Sequence, residues 1–454
     1  MCYTHSLAEY TTGLTAQTIP HRVQFKSKLN ILDTLGVALC GSCTPHATAA
    51  FATAEALGGE KQASVIGRAA QTDMVRAAFL NALAAHSIDF DDAHKFVHPG
   101  AAIVPAALSV CEHMHRSGAV FMASVIAGYE VAVRTSLAAG LAHRKRGYHP
   151  TGTCNTLGAA AAAAHALGLD AAKTESALGI AGCQAAGLSQ YRLDGSANKH
   201  LHAGIAAQGG VLAALLANNG FHGTKNILEG ELGFLAVLSD GGKPSLLTDG
   251  LGATFAVEGT DIKPYPSCRQ THGAIDLALE AIKQGLRPSD ITRIDIDIYE
   301  YATAKWHAAN TPPETGLQAM LNIPYCVASA LEEGSLSLCN FDQAALGNQN
   351  VKELTSKIFV KADPQMTAVF PEKRCVRLRI STSDGSQRTL ETDNPKGGKE
   401  HPLTQDDVEN KFRLLTKSIL GLEGSERVIQ LIGNLETLPD VGALAACLCG
   451  KASC

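Results

Sequence analysis

The sequence predicts a mostly α-helical protein, with a large all-helical domain and a smaller α+β domain. Three observations lead to this fold class. Residues 25–238 repeat apolar side chains at helical spacing almost without a break. Residues 291–298 alternate strictly between apolar and polar side chains, as a half-buried strand does. Residues 406–420 and 425–432 return to helical patterns as two helices, so we expect them to pack on the first helical region.

Small residues dominate the first helical region. Aromatic residues make up only 5% of the chain, whereas glycine occurs 43 times. Small side chains let helices approach closely, which predicts a tightly packed interior. Gly168 and Gly220 lie where helices should end. The predicted helices include residues 120–140, 156–167, 173–187 and 201–219.

The smaller domain is predicted from strands that alternate with helices. Residues 359–362, 376–380 and 388–391 have strand character, and residues 381–386 form a hairpin turn before the last of these strands. Residues 273–284 and 325–333 have helical patterns. The predicted division therefore assigns residues 1–262 and 395–454 to the helical domain and residues 263–394 to the α+β domain.

Charge and composition limit the classes of partner. The 454 residues carry a net charge of -5, which gives no general reason to bind nucleic acid or an anionic membrane. Residues 1–17 show no signal peptide, and we expect no run long and apolar enough to span a bilayer. Thirteen cysteines without a secretion signal predict reduced thiols and a cytoplasmic protein. A small anionic substrate would then be held by local cations.

Titratable residues are concentrated in residues 86–100. This stretch holds three acids and three histidines, among them His86, Asp89, His94 and His98. Burying such groups is costly, so the pattern favours a catalytic loop. The same residue types could bind a metal, or the stretch could be a solvated, capped loop.

Two further segments place reactive side chains beside helices. In residues 147–153, Thr151 and Thr153 are natural helix caps, and His149 could act as an acid or a base beside a helix N-terminus that can receive an anion. In residues 194–204, Lys199 and His202 share a helix face, and a desolvated lysine can act as a base. The ordinary alternatives are a capped turn and a surface lysine.

The predicted junction at residues 263–273 carries two more candidates. Arg269 offers a planar fork that matches a carboxylate, and His272 opens a helix, where the positive helix end favours the neutral imidazole. Further along, the hydroxyl group of Tyr325 could donate to a substrate oxygen. A solvated linker arginine and a packing tyrosine are the alternatives.

Several common chemistries lack their motifs in this sequence. No glycine-rich phosphate loop or dinucleotide fingerprint follows a strand, and no Gly-x-Ser-x-Gly elbow occurs. Hydride transfer, phosphoryl transfer and serine hydrolysis are therefore disfavoured. No cysteine and histidine spacing gives a closed metal site, so we expect an enzyme that needs no metal.

Taken together, these segments resemble the MmgE/PrpD superfamily of 2-methylcitrate dehydratases and cis-aconitate decarboxylases. The matching stretches, in chain order, are residues 32–39, 81–92, 98–100, 149–153, 199–202, 263–266 and 323–325. The resemblance implies a helical domain built from both chain ends, an α+β lid domain, a cleft between them and a homodimer. It also implies no metal and no organic cofactor. In the decarboxylase branch, the positions that match Asp89, His98, His149, Lys199, His272 and Tyr325 line the active site, although the loop 89–98 is one residue shorter here.

The branch of the family is left open by the sequence. Decarboxylases usually have a histidine where Arg269 stands, so the arginine suggests an additional carboxylate to hold. The first hypothesis is a lyase, a dehydratase or decarboxylase that moves a proton alpha to a carboxylate of a small polycarboxylic acid. The second is an epimerase of a polycarboxylate such as iminodisuccinate, with Lys199 and either Tyr148 or His149 as the two bases. The third is a non-catalytic helical binding protein, in which Lys199, His149 and Arg269 would point to solvent.

The predicted site follows from both the residues and the resemblance. The predicted catalytic residues are Lys199, His149, His98, Asp89, His272 and Tyr325. The predicted substrate-binding residues are Arg269, Tyr148, Thr151 and His202. We expect them to converge on one cleft that binds a small polycarboxylate.

Overall fold

The computed structural model describes residues 2–450, which form two compact units. Of these residues, the first unit takes in 2–189, 198–262 and 404–450, and the second takes in 190–197 and 263–403. Met1 and residues 451–454, which the sequence prediction assigned to the helical domain, lie outside the described residues.

The first unit is almost entirely helical. Numbered along the chain, its helices are α1 (Tyr3–Gly13), α2 (His21–Gly41), α3 (Pro45–Leu57), α4 (Met74–Ala85), α5 (Pro99–His113), α6 (Gly118–Lys145), α7 (Pro150–Leu167), α8 (Ala171–Cys183), α10 (Asn198–Asn218), α11 (Phe234–Leu238), α19 (Gln405–Gly433) and α20 (Gly442–Leu448). One small hairpin, β1 (Ala63–Ser64) and β2 (Gln71–Thr72), pairs antiparallel.

Close helix approach in the first unit depends on small residues. The six alanines at 159–164 of α7 are all fully buried. A Cβ atom added at Gly158 would come within 2.7 Å of Ala132 on α6, and one added at Gly128 would come within 2.8 Å of the carbonyl oxygen of Gly158. The backbones of α6 and α7 are therefore in near contact, as the alanine and glycine content predicted.

Two helices of the first unit, α6 and α10, are long and apolar enough to cross a membrane by length and composition. The expectation that no such run exists is therefore wrong by this criterion. The most apolar window is 89% buried in α6 and 61% buried in α10. Both helices thus satisfy the criterion in the way that the core helices of globular proteins do.

The second unit combines helices with a four-stranded sheet. Its helices are α9 (Tyr191–Asp194), α12 (His272–Lys283), α13 (Lys305–Ala308), α14 (Gly316–Leu321), α15 (Ile323–Glu333), α16 (Gln343–Leu346), α17 (Gln349–Ser356) and α18 (Pro364–Val369). Its strands are β3 (Ile291–Ile298), β4 (Ile358–Ala362), β5 (Val376–Thr382) and β6 (Gln387–Thr392), in the order β4-β3-β5-β6. Strand β3 pairs parallel to β4 and antiparallel to β5, and β5 pairs antiparallel to β6.

The fold class predicted from the sequence is confirmed, since a mostly α-helical chain contains a smaller α+β part. The apolar positions of β3 and β5 are buried in the core of the second unit together with the apolar faces of α12 and α15. The hairpin of β5 and β6 and the helix that opens at His272 are also as predicted.

Three local expectations are corrected. Helix α7 begins at Pro150, with His149 at the N-cap, so Thr151 and Thr153 lie inside its first turn and do not cap it. Proline favours the first helical position because its missing N–H needs no partner there. The two predicted C-terminal helices are one element, α19, which bends at Gly421 with a φ of 70°. Cys43 takes part in a disulfide, so the expectation of fully reduced thiols is wrong there.

Candidate active site

The loop between α4 and α5 holds the densest group of titratable residues in the first unit. His86 follows the last residue of α4, and His98 is the N-cap residue of α5. Asp89 and Lys95 both adopt the left-handed backbone conformation, each with a φ of 49°. Aspartate tolerates this conformation better than most residues, and backbone strain of this kind is frequent at functional sites.

Lys199 lies at the start of α10 and forms an ion pair with Asp89. The distance between Nζ of Lys199 and Oδ2 of Asp89 is 2.8 Å. The two residues are only 4% and 1% exposed, so little solvent screens the pair. The predicted proton carrier is thus a buried lysine beside a carboxylate, and the surface-lysine alternative is excluded.

His98 and His86 both contact Asp91. Nδ1 of His86 lies 2.8 Å from Oδ2 of Asp91, and Nδ1 of His98 lies 3.4 Å from the same oxygen. Nδ1 of His98 also donates to the carbonyl oxygen of Asp92 at 2.7 Å. A carbonyl oxygen only accepts, so the proton of a neutral His98 is on Nδ1.

Asp92 anchors this loop to the surrounding helices. Its carboxylate accepts from the hydroxyl of Tyr129 at 2.6 Å, from the side-chain amide of Asn30 at 2.9 Å and from the backbone N–H of Gly100 at 2.9 Å. Burial raises the pKa of Asp92 to about 7, because a desolvated carboxylate is disfavoured. The carbonyl group that orients His98 therefore belongs to a residue fixed by α2, α5 and α6.

His149 and His202 form a second pair. Their Nδ1 atoms are 3.0 Å apart, so one imidazole donates to the other. Burial lowers the pKa of His202 to about 4, with a smaller contribution from His86 in the same direction. The ring of His149 stacks on that of His86, with the ring centres 5.8 Å apart. The pair is thereby joined to the loop that carries Asp91 and His98.

The other two predicted residues of the first unit lie beside these pairs. Oγ1 of Thr151 accepts from the backbone N–H of His98 at 3.3 Å. The half-buried Tyr148 stacks on His143 with the ring centres 4.9 Å apart. The structure thus brings Asp89, His98, His149, Thr151, Lys199 and His202 into one region of the first unit.

Arg269 and His272 are in contact in the second unit. Nη1 of Arg269 lies 3.1 Å from Nδ1 of His272 and donates to the carbonyl oxygen of Lys396 at 2.7 Å, while Nη2 donates to that of Pro395 at 3.2 Å. Because a guanidinium only donates, Nδ1 of His272 is the acceptor. Its Nε2 then donates to the carbonyl oxygen of Ser267 at 3.2 Å, so these hydrogen bonds fit the neutral imidazole.

Tyr325 lies elsewhere in the second unit, near the start of α15. It is 1% exposed, and its hydroxyl donates to the carbonyl oxygen of Asn340 at 2.6 Å. It borders a cavity of about 200 Å³ together with Ser329, Glu333 and Cys339. Burial raises the pKa of Tyr325 to about 12, so the hydroxyl keeps its proton at neutral pH. Convergence of Tyr325, Arg269 and His272 with the residues of the first unit stays a prediction.

One set of described side chains has spacing suited to a cation. One ring nitrogen of His86, one of His98 and a carboxylate oxygen of Asp91 all lie within 4.8 Å of one another. Two imidazoles and a carboxylate suit a transition metal ion, although the same atoms already form hydrogen bonds. The sequence analysis kept metal binding by residues 86–100 as an alternative, although it expected an enzyme that needs no metal.

His86 and His200, like Asp91 and Asp92, are residues of this cluster that the predicted site did not include. Nδ1 of His200 donates to the carbonyl oxygen of His86 at 2.6 Å, and its ring stacks on that of His46 with the centres 4.5 Å apart. The sequence did show His86 and His200 beside predicted residues. Their contacts join α3, α4 and α10, and no local spacing signals such contacts.

Comparison with known proteins identifies the chain's family. The model of the MmgE/PrpD N-terminal domain matches residues 5–247, and that of the MmgE/PrpD C-terminal domain matches residues 265–437. The chain is 30% identical to the human cis-aconitate decarboxylase over 98% of its own length and 94% of that protein. It is 29% identical to the cis-aconitate decarboxylase-like protein oryM of Aspergillus oryzae, with 99% and 97% covered. A cis-aconitate decarboxylase of Aspergillus terreus is 25% identical, with 97% and 94% covered. The chain therefore belongs to the MmgE/PrpD family.

Proposed function

We propose that this protein is a lyase that decarboxylates cis-aconitate or a closely related tricarboxylate. The observation that carries the proposal is its similarity to cis-aconitate decarboxylases along almost the whole of both chains. The buried Lys199–Asp89 and His149–His202 pairs support it, because they offer a cation and a proton donor.

The proposed reaction breaks one carbon–carbon bond and forms one carbon–hydrogen bond. The bond between the CH2 carbon of cis-aconitate and its carboxylate breaks, and CO2 leaves. The electron pair enters the allylic system, and the double bond moves to the former CH2 carbon. The CH carbon alpha to the other terminal carboxylate then takes a proton. Each turnover consumes one proton and needs no electron acceptor.

The proposed roles follow from this chemistry. Negative charge develops on the carboxylate oxygens of the allylic intermediate, and the ammonium group of Lys199 would stabilise it there. The His149–His202 pair would deliver the proton to carbon. Asp89 would hold Lys199 in place, and His98 would support the His149–His202 pair. Arg269, Tyr148 and Thr151 would bind the carboxylates of the substrate. His272 and Tyr325 would complete the site from the α+β domain.

The binding-protein alternative loses support from burial. It requires Lys199, His149 and Arg269 to point to solvent, yet they are 4%, 2% and 4% exposed. The dehydratase and epimerase alternatives also need proton transfer at a carbon alpha to a carboxylate, and the same assay tests them. We also propose a cytoplasmic homodimer without a metal or organic cofactor. Light scattering should give twice the chain mass of 47.4 kDa.

The test is an assay of the purified protein in deuterated water, followed by NMR and by CO2 release. With cis-aconitate we expect CO2 and a methylene-succinate product with one deuterium on the newly protonated carbon. Parallel reactions with 2-methylcitrate and iminodisuccinate cover the two alternatives. Turnover of either of these substrates, without CO2 release from cis-aconitate, would reject the decarboxylase proposal.

A further inference from the structure

His86 has one ring nitrogen that the fold does not satisfy. The residue is fully buried, and its Nδ1 lies 2.8 Å from the carboxylate of Asp91. A carboxylate accepts, so Nδ1 carries the proton and Nε2 presents a lone pair. Nε2 is buried and has no hydrogen-bond partner within residues 2–450. An unmet buried acceptor is costly and calls for a physical explanation.

The surroundings of His86 place this acceptor within the candidate site. Its ring centre is 5.1 Å from that of His98 and 5.8 Å from that of His149. Burial lowers the pKa of His86, Asp91 opposes this shift, and Lys199 adds to it. The titratable and charged groups around it are Asp89, Asp91 and His98 of the loop, His149 of α7, and Lys199, His200 and His202 of α10.

A neutral hydrogen-bond acceptor distinguishes between the protonation states of a polycarboxylate. A carboxylate presents only lone pairs, so it is repelled by the lone pair of Nε2. A carboxyl group that has kept its proton donates O–H to the same atom. A buried acceptor of this kind therefore binds the acid with one protonated carboxyl group in preference to the fully ionised acid.

We propose that His86 selects the monoprotonated form of a tricarboxylate, accepting the O–H of its un-ionised carboxyl group at Nε2. Asp91 fixes the tautomer that makes this possible. The inference rests on the proposed function for its substrate class and adds the protonation state. The balance of the reaction agrees with it: hydrogen cis-aconitate, with two negative charges, yields CO2 and a doubly charged methylene-succinate. The proton that the substrate brings thus replaces the one that the His149–His202 pair gives to the new carbon–hydrogen bond.

The test measures proton uptake during binding of the unreactive propane-1,2,3-tricarboxylate. Calorimetric titrations are run above the last pKa of this ligand, in two buffers with different heats of ionisation. We expect the wild-type protein to take up about one proton for each ligand bound. No binding, or binding without proton uptake, overturns the inference whatever the variants do.

Two variants of His86 separate the roles of its two nitrogens. His86→Asn places an amide N–H where Nδ1 donates to Asp91 but has nothing at Nε2. His86→Gln places an amide at the position of Nε2 and gives up the contact with Asp91. We expect proton uptake to vanish in His86→Asn, with kcat/KM of this variant roughly two- to tenfold lower at acidic pH. An amide donates as well as accepts, so His86→Gln should also bind the ionised carboxylate and take up clearly less than one proton for each ligand bound. Equal uptake in wild type and a folded His86→Asn would assign the proton to another group and overturn the inference.

The assay for CO2 release distinguishes a failure of this inference from a failure of the proposed function. Proton-linked binding without turnover of cis-aconitate would reject the proposed reaction and retain the role of His86. Turnover without proton-linked binding would reject the role of His86 and retain the reaction.

Discussion

Nζ of Lys199 is 2.8 Å from Oδ2 of Asp89, and this buried pair links the start of α10 to a loop residue with left-handed backbone. Loss of one member leaves an uncompensated buried charge, which costs about 3–5 kcal/mol. We therefore expect Lys199→Met to lower the free energy of unfolding by about that amount and to abolish turnover. Urea unfolding and the CO2 assay measure the two effects.

The double variant Asp89→Asn with Lys199→Met separates stability from catalysis. It removes both charges, so most of the lost stability should return while turnover stays absent. If turnover returned together with stability, the pair would have a structural role only.

Arg269 gives a test of substrate binding. Arg269→Lys keeps the charge but loses the planar fork, so a lost carboxylate contact should raise KM about ten- to a hundredfold with little change in kcat. The exposed Arg287→Lys is the matched control. An unchanged KM with a lower melting temperature would instead show that Arg269 has a structural role, through its hydrogen bonds to the carbonyl groups of Pro395 and Lys396.

The His149–His202 pair should determine the chemical step. A general acid contributes about 10²- to 10⁴-fold to rate, so His149→Gln should lower kcat within that range and leave KM nearly unchanged. His115→Gln is the control, because His115 is an exposed histidine paired with Asp440. Deuterium incorporation by the variant at the wild-type rate would show that His149 does not take part in the proton transfer.

Stability should fall in acid partly because of His143. Burial lowers the pKa of His143 to about 4, from about 6.5 in the unfolded chain. As pH falls from 6.5 to 4, the unfolded state binds the proton first, so the free energy of unfolding decreases by at most about 1.4 kcal/mol per pH unit. His143→Asn can still donate to the carbonyl oxygen of Leu238 but does not titrate. Urea unfolding at pH 7, 6 and 5 should give the variant a shallower dependence, and parallel curves would show that His143 is not responsible.

Activity should survive removal of divalent ions. The proposed reaction assigns charge stabilisation to Lys199 and proton transfer to histidines, so treatment with a chelator should leave kcat within about twofold of the untreated protein. Loss of activity that only an added dication restores would instead make His86, Asp91 and His98 a functional metal site.

The sequence predicted elements well where the signal is local. The alternation at residues 291–298 gave the bounds of β3, and the apolar spacing after His272 gave α12. The start of α7 was missed because threonines that resemble caps follow Pro150. The bend of α19 at Gly421 was read as a break between two helices.

Long-range contacts explain what the sequence could not provide for the site. Lys199 and His202 were predicted to share a helix face, but their partners Asp89 and His149 come from other elements. The contacts of Arg269 with the carbonyl groups of Pro395 and Lys396 likewise depend on a distant loop.

The short segment 190–197 affects how the protein can be divided for expression. It belongs to the second unit, where Tyr191 packs with Leu317 and Leu321, and Arg192 lies over the ring of Trp306. A fragment that begins at Lys263 would therefore expose an apolar patch and leave the chain's single tryptophan without its cationic neighbour. A soluble fragment of this unit should need residues 190–197 fused through a linker, or supplied as a separate peptide.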